Sequence, residues 1–237
     1  MRLYDEDGGR LVELPSGPLH IHVHEGDLRA HLTADLLRRV AGRYRRVRVT
    51  RSGPLPPGRP LADYNVLGMD EGDAASAHVH VGGAPSHENA SRPPGDDDAT
   101  AGVGERSSRR TGGLRLRPGP MPALDPSSAD VDPVTVRLAI LRVPYREPIT
   151  TDPLADVQDL LDRWRTLVAD WARSPGRPMS RDHVQKAEAA LGDDLNTSAA
   201  LATLQHLADD STIASGAKFE TFVHLDLLLA LDLVRSL

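Results

Sequence analysis

Apolar and polar positions change their period along this chain. Leu19-His-Ile-His-Val-His24 alternates with a period of two, as a strand does, and Asp27 to Arg45 then carries Leu28, Leu32, Leu36, Leu37, Val40 and Ala41 at helical spacing. The pattern predicts a strand followed by a helix. Arg46 to Thr50 alternates again, Gly53 to Pro60 holds four prolines and reads as a loop, and Ala77-His-Val-His-Val81 is a third strand closed by Gly82-Gly83. Strands alternating with helices predict a parallel, doubly wound sheet over residues 1–91.

Between 92 and 133 the character changes. SRPPGDDDATAGVGERSSRRTGG is rich in Gly, Pro, Ser and charge, with too few apolar residues to offset the entropy of ordering it. It reads as a flexible linker, and LRLRPGPMPALDPSSADVDP after it as an extended connection. From 134 to 237 the period is helical. Val134, Val136, Leu138, Ile140 and Leu141 follow Pro133, and Leu154, Val157, Leu160, Leu161, Trp164, Leu167, Val168 and Trp171 form an apolar stripe. Ser180 is placed to cap a third helix, Thr197 or Ser198 a fourth, and Lys218 to Val234 makes a fifth. The expected architecture is α/β: a reduced Rossmann-like parallel-sheet domain followed by an antiparallel helical bundle.

Composition narrows the chemistry. The 237 residues include no cysteine, which excludes disulfides, thiolate metal sites and thiol catalysis within the chain and fits a reducing cytoplasm. The net charge of −6 gives no overall attraction to nucleic acid, although Arg38 to Arg51 is a basic run around Tyr44. Its simpler reading is a solvated helix face and strand edge. The N-terminal MRLYDEDGGR has no apolar segment and no run is long enough to span a membrane, so no membrane partner is expected. Both Trp and both Phe lie in the helical part, and the core elsewhere must be aliphatic.

Histidines supply candidate ligands. His20, His22 and His24 project from one face of a strand, and His78 and His80 from one face of another. If the strands are neighbours, His22, His24, His78 and His80, with His87, would suit zinc or another divalent metal. Alternation is also what a solvent-facing strand face produces, and that is the simpler expectation.

The segment Asp193-Asp194-Leu195-Asn196-Thr197-Ser198-Ala199-Ala200-Leu201 resembles one that introduces a helix pair in the cysteinyl-tRNA synthetase family, which includes the mycothiol cysteine ligase. Gly216 to Phe222 and Asp226 to Leu233 are similar to that family's next helix, and Asp132 to Pro148 to its segment after the KMSKS loop. Met1 to Asp5 is similar to its opening strand, His24-Glu25-Gly26-Asp27 sits where its HIGH motif would, and His80-Val81-Gly82-Gly83 with Ser86-His87-Glu88-Asn89 resemble shortened HGGG and HHENE segments. The resemblance implies a class I synthetase-like scaffold and, from it, an adenine-nucleotide site at His24, Gly26, Asp27, His80, Gly82 and Gly83.

The departures from the family argue against its reaction. HIGH has become HEGD, bringing carboxylates to a site meant for phosphates, where like charges about 4 Å apart repel by roughly 4 kcal/mol at an effective dielectric near 20. Lys186 and Lys218, the chain's lysines, lie in the helical part, and the position of the lysine loop reads LRLRPGPMP with Arg115 and Arg117. The family's zinc site needs two cysteines, and Ser86 and Ala90 stand where its histidine and glutamate would. The chain ends near where an anticodon-binding domain would begin, so tRNA is not an expected partner. These features lead to the expectation of a truncated, degenerate relative without amino-acid activation, acting as a binding or partner protein, with the apolar final helix as a homodimer or partner surface. The alternatives are an altered ATP-dependent amino-acid ligase in small-molecule biosynthesis and a His-rich metal-binding protein.

Overall fold

Val23 and Leu19 with Ile21 point one way from their strand, and the histidines between them point the other, so the strand must be covered by apolar neighbours on one face and polar ones on the opposite face. The computed structural model, which describes residues 1–83, 113–122, 131–149 and 154–235, builds both. An N-terminal hairpin, β1 (Arg2–Asp5) with β2 (Arg10–Glu13), is antiparallel. A five-stranded parallel sheet follows from β3 (Leu19–Val23), β4 (Val47–Arg51), β5 (Asp70–Glu71), β6 (Val79–Val81) and β7 (Leu114–Leu116). Its spatial order is β5-β4-β3-β6-β7. The chain leaves β3 through helix α1 (Leu28–Gly42), builds outward through β4 and β5, then returns to the other side of β3 for β6 and β7. The strand order therefore reverses between β3 and β6, the place where open α/β sheets form a crevice at the carboxyl ends of their strands.

The sheet is Rossmann-like and the chain continues as helices: α2 (Pro133–Leu141), α3 (Leu154–Trp171), α4 (Arg181–Gly192), α5 (Thr197–Asp209) and α6 (Ser215–Leu229). Strand β7 arises from within the segment expected as an extended connection, and it pairs with β6 through Val79↔Leu114 and Val81↔Leu116. Asp132 accepts from Val134 N at 3.0 Å and Pro133 takes the first helical turn, where its missing N–H is no loss. The fourth helix of the C-terminal part is capped one residue earlier than expected. Asn196, not Thr197 or Ser198, accepts from Ala199 N at 3.1 Å. Its last helix also ends earlier, at Leu229, because Ala230 turns left-handed (φ 53°) and the Asp226 carboxylate takes the next free N–H groups, Leu231 at 2.6 Å and Leu233 at 2.9 Å.

One hydrophobic core runs through both parts, joining Leu3, Ile21, Val23, Leu37 and Leu116 to Leu138, Trp164 and Phe222. The rings of Trp164 and Trp171 meet Phe222 edge-on at 6.0 and 5.2 Å between centroids. Charged groups reinforce the junction. On α1, Asp35 is fully enclosed and accepts from Arg38, Arg39, Arg137 and Leu67 N. Arg137, on α2, also donates to the carbonyls of Leu229 and Tyr64. Burial pushes the Asp35 carboxyl up, but the charges of Arg137 and Arg39 and the bonds from Arg39 and Arg38 outweigh it, leaving it below the ordinary carboxylate value.

The Asp193-Asp194 pair docks on the N-terminal strand. Asp194 accepts from Tyr4 N at 2.8 Å and Tyr145 Oη at 2.9 Å, its own N–H donates to Arg2 O at 3.0 Å, and Arg2 pairs with Asp193 at 2.7 Å. The segment that carries the family resemblance most clearly thus works as a clamp and a helix cap. Among the described residues no helix is long and apolar enough to cross a membrane.

Candidate functional site

At the carboxyl ends of β3 and β6 the backbone turns sharply on both strands. His24 N donates to Val81 O at 3.0 Å, and His24-Glu25-Gly26 then carries the chain from β3 into α1. Gly26 packs so closely on the helix that a Cβ there would lie 2.8 Å from Ala30 Cβ. On β6, Gly82 and Gly83 have φ of 76° and 86°, and a Cβ on Gly83 would meet His24 Cβ at 3.3 Å. The two turns therefore face each other across the switch point.

Four of the six residues expected to hold a nucleotide, His24, His80, Gly82 and Gly83, come together here. Gly26 and Asp27 stand beside them at the start of α1. Asp27 is the N-cap of that helix, and its carboxylate accepts from Ala30 N at 3.0 Å. A phosphate placed at this helix N-terminus would compete with that carboxylate for the same N–H groups and the same dipole. Arg115, on β7, approaches from the other side, and a Cβ on Gly83 would be 3.7 Å from its Nη1. It is already paired with Asp7 at 3.3 Å, as Arg117 is at 3.4 Å.

The segment following β7, where the resemblance places a mobile lysine loop, is tied down. Gly119 N donates to Tyr145 O at 2.7 Å and Ile149 N to Pro120 O at 3.0 Å. Arg29, buried in the first turn of α1, donates to the carbonyls of Gly119, Pro144 and Glu147. Gly119 has no room for a side chain, since a Cβ would lie 2.5 Å from Glu147 O. Lys218 is held elsewhere, donating to Ala208 O at 2.9 Å, and Lys186 lies on α4.

The histidine face differs from the solvent-facing one that alternation suggests. His22 and His80 are buried, and His20 and His24 are half-buried. His24 Nε2 and His80 Nδ1 share a hydrogen bond of 3.0 Å, their rings stacked 5.2 Å apart. His22 stands edge-on to His24 at 4.7 Å and bonds Thr50 Oγ1 through Nδ1 at 2.9 Å and Ser52 Oγ through Nε2 at 3.1 Å. Burial, with the neighbouring imidazoles of His24 and His20, lowers the His22 pKa below the ordinary histidine value. Burial first, then His80 and Arg115 for His24 and Arg115 with the imidazoles of His22 and His20 for His80, lowers those two pKa values as well, so these rings are neutral near pH 7.

The metal expectation meets a different geometry. His78 is exposed, and its Nδ1 accepts from His20 N at 3.0 Å, apart from the cluster. His87 lies outside the described residues. Among the described residues no group of three His, Cys, Asp or Glu side chains is placed to hold a metal ion. The zinc that the resemblance implies does not fit the residues present, since the chain has no cysteine and His24 and His80 bond each other.

Among the described residues, two clefts of note open away from the crevice. The larger, about 700 Å³, lies at the C-terminal end of α1 between Arg43, Tyr44, Glu188 and Asp193. The smaller, about 510 Å³, is lined by Leu67, Val223, Leu227 and Val234. Of the leucines between 225 and 233, Leu225, Leu228, Leu229, Leu231 and Leu233 are buried in this chain's own core, and Leu227 alone is exposed, at 63%. Sequence reasoning missed Arg29, Asp35, Arg137 and the Thr50 and Ser52 hydroxyls.

No family model matches the chain. Over 83 residues, 34% of its length, it is 39% identical to a cysteine–tRNA ligase of Nitrobacter hamburgensis. Over 74 residues, 30% of its length, it is 40% identical to the cysteine–tRNA ligases of Brucella ovis and Brucella canis. The matched segments make up 16% and 14% of those proteins, so the chain spans a small part of the relatives it matches. Over about a third of its length it is a relative of cysteine–tRNA ligases.

Proposed function

We propose that this chain is a cysteine–tRNA ligase-like binding protein whose carboxyl-edge crevice takes its ligand without activating an amino acid. The observation that carries the reading is the Asp27 carboxylate on the N-terminus of α1, at the place where a triphosphate would otherwise be held by the backbone N–H groups and the helix dipole. Activation also requires stabilisation of the charge that develops on pyrophosphate. The nearby cations are engaged instead, Arg115 and Arg117 with Asp7, and the segment after β7 is strapped to Tyr145 and Ile149.

The crevice still has the makings of a recognition site. Its neutral imidazoles offer donors and acceptors without net charge, and its glycines let a flat ligand approach the backbone. Such a surface suits the nucleoside end of an adenine nucleotide better than its phosphates. Calorimetric titration with adenosine, AMP and ATP tests this. Binding that weakens from adenosine to ATP is the expected result, while amino-acid-dependent pyrophosphate exchange would overturn the proposal.

A further inference from the structure

The other side of the histidine face holds an unbroken chain of hydrogen bonds between two exposed hydroxyls. Ser52 Oγ meets His22 Nε2 at 3.1 Å, His22 Nδ1 meets Thr50 Oγ1 at 2.9 Å, Thr50 Oγ1 meets His20 Nε2 at 2.8 Å, and His20 Nδ1 meets Ser76 Oγ at 3.1 Å. The middle of the chain, His22 and Thr50, is 1% exposed, whereas Ser52 and Ser76 reach solvent.

The chemistry of the groups fixes how protons are arranged along it. A neutral imidazole has one N–H and one lone pair, and a hydroxyl has one proton to give. When Ser52 donates to His22 Nε2, the His22 proton sits on Nδ1 and is given to Thr50. Thr50 then donates to His20 Nε2, and His20 Nδ1–H donates to Ser76. Every group is satisfied. The reverse arrangement satisfies them equally, with Ser76 as the donor at its end. The Thr50 hydroxyl couples the two tautomers, because it cannot donate to both rings.

From this geometry we infer that Ser52 is a nucleophile for acyl transfer, with His22 as its general base and Thr50 as the group that positions the base. A hydroxyl bonded to an imidazole that is itself oriented from behind is the arrangement by which serine nucleophiles are activated. Ser52 sits at the carboxyl end of β4, its N–H donating to Val23 O at 3.0 Å, and Gly53 (φ 76°) turns the chain away directly after it. In the reaction, Ser52 Oγ forms a bond to the carbonyl carbon of an ester while its proton passes to His22 Nε2. The carbon–oxygen bond to the alcohol then breaks and the alcohol leaves with that proton. Water attacks the acyl-serine, giving one proton to His22, and the acid departs as His22 passes that proton to Ser52 Oγ.

The surroundings select the substrate class. Glu25 lies beside Gly53, where a Cβ would meet it at 3.3 Å, and Asp73 acts on His22 through its charge. Arg51 donates to Gly53 O at 2.9 Å and pairs with Glu71, so the edge carries charge of both signs and small neutral acyl esters fit it best. The groups facing His22 are His20 and His24 on its own strand, His80 on β6, Thr50 and Ser52 on or next to β4, and Asp73 in the loop before β6. The inference is independent of whether the crevice takes a nucleotide.

Labelling with a fluorescent alkyl fluorophosphonate, followed by mass-spectrometric mapping, tests it on the full chain. The expected result is a phosphonyl adduct on Ser52 that is absent in Ser52→Ala and forms at least tenfold more slowly in His22→Asn and Thr50→Val, with Thr50→Ser restoring the rate. In the unaltered protein the labelling rate should rise with pH through a midpoint below the ordinary histidine value, a readout that needs no variant to fold. Hydrolysis of p-nitrophenyl acetate should follow the same profile. No adduct on Ser52, or a rate that climbs only above pH 8, would overturn the assignment.

Discussion

Arg137 Nη2 donates to Asp35 Oδ2 at 3.0 Å with both side chains wholly withdrawn from solvent, and this pair joins the first helix of the α/β unit to the first helix after the sheet. Removing Asp35 leaves Arg137 charged and enclosed with no carboxylate partner, which costs about 3–5 kcal/mol, whereas removing Arg137 leaves Asp35 its bonds from Arg38 and Arg39. Asp35→Leu should therefore lose that much stability in urea denaturation, and Arg137→Met less. Asp35→Leu combined with Arg137→Met should recover part of the Asp35→Leu loss, because the enclosed guanidinium is gone. Equal losses in the single and double variants would contradict this account of the junction.

Acid should loosen the fold through the histidines. Burial holds His22, His24, His31 and His80 below the value near 6.5 expected in the unfolded chain, so the unfolded state binds more protons in the window beneath 6.5. Their contribution is intact above pH 6.5 and is lost as the pH falls from there through the folded-state values. Asp226, whose carboxyl is raised by burial, works in the opposite sense. The histidine share is thus read from a difference: the melting temperature of the unaltered protein should drop more steeply between pH 7 and 5 than that of His80→Gln.

Asp27 can be separated into its two roles. Asn caps a helix about as well as Asp, so Asp27→Asn should keep stability within a few tenths of a kcal/mol, while Asp27→Ala should lose about 1 kcal/mol. Removing the charge at the mouth of the crevice should tighten ATP binding relative to adenosine. Calorimetry that finds the same preference for adenosine in Asp27→Asn would locate the discrimination elsewhere.

Gly216 starts α6 against the backbone of another loop, with a Cβ there 2.1 Å from Pro175 O. Gly216→Ala must push two backbones apart, at a cost on the order of 1–3 kcal/mol. Gly176, whose Cβ would meet nothing within 4 Å, provides the control. Thermal denaturation of the two alanine variants should show the loss in Gly216→Ala and none of comparable size in Gly176→Ala.

The parts of the fold visible in the sequence were those whose burial follows a period. Leu19, Ile21 and Val23 announce β3, and the α1 stripe is plain from Leu28 to Ala41, because a single buried face repeats along each element. The hairpin strand β2 is nearly all exposed and β5 has two residues, so neither carries such a repeat. Asn196 and Thr197 are both good caps, and only backbone geometry chooses between them.

The site was legible by residue type and not by environment. Alternating histidines look the same whether their face meets water or neighbouring polar side chains, and what encloses His22 comes from β4, β6 and the loop ahead of β6. Arg29, Asp35 and Arg137 read as solvated helix positions, since a charge is buried only when distant partners meet it. Thr50 and Ser52 gain their meaning from strand pairing, which sets His22 opposite Thr50.

The clamp of Asp193 and Asp194 on Arg2 and Tyr4 joins residues some 190 positions apart. The outer edge of β1 is closed only by residues far along the chain, Arg2 and Tyr4 by Asp193 and Asp194 and the adjoining Glu6 by Arg115, so this edge is fastened by contacts of long sequence separation. A shortening that reached this clamp would first be felt at the opposite terminus, as an unpaired strand edge open to other chains.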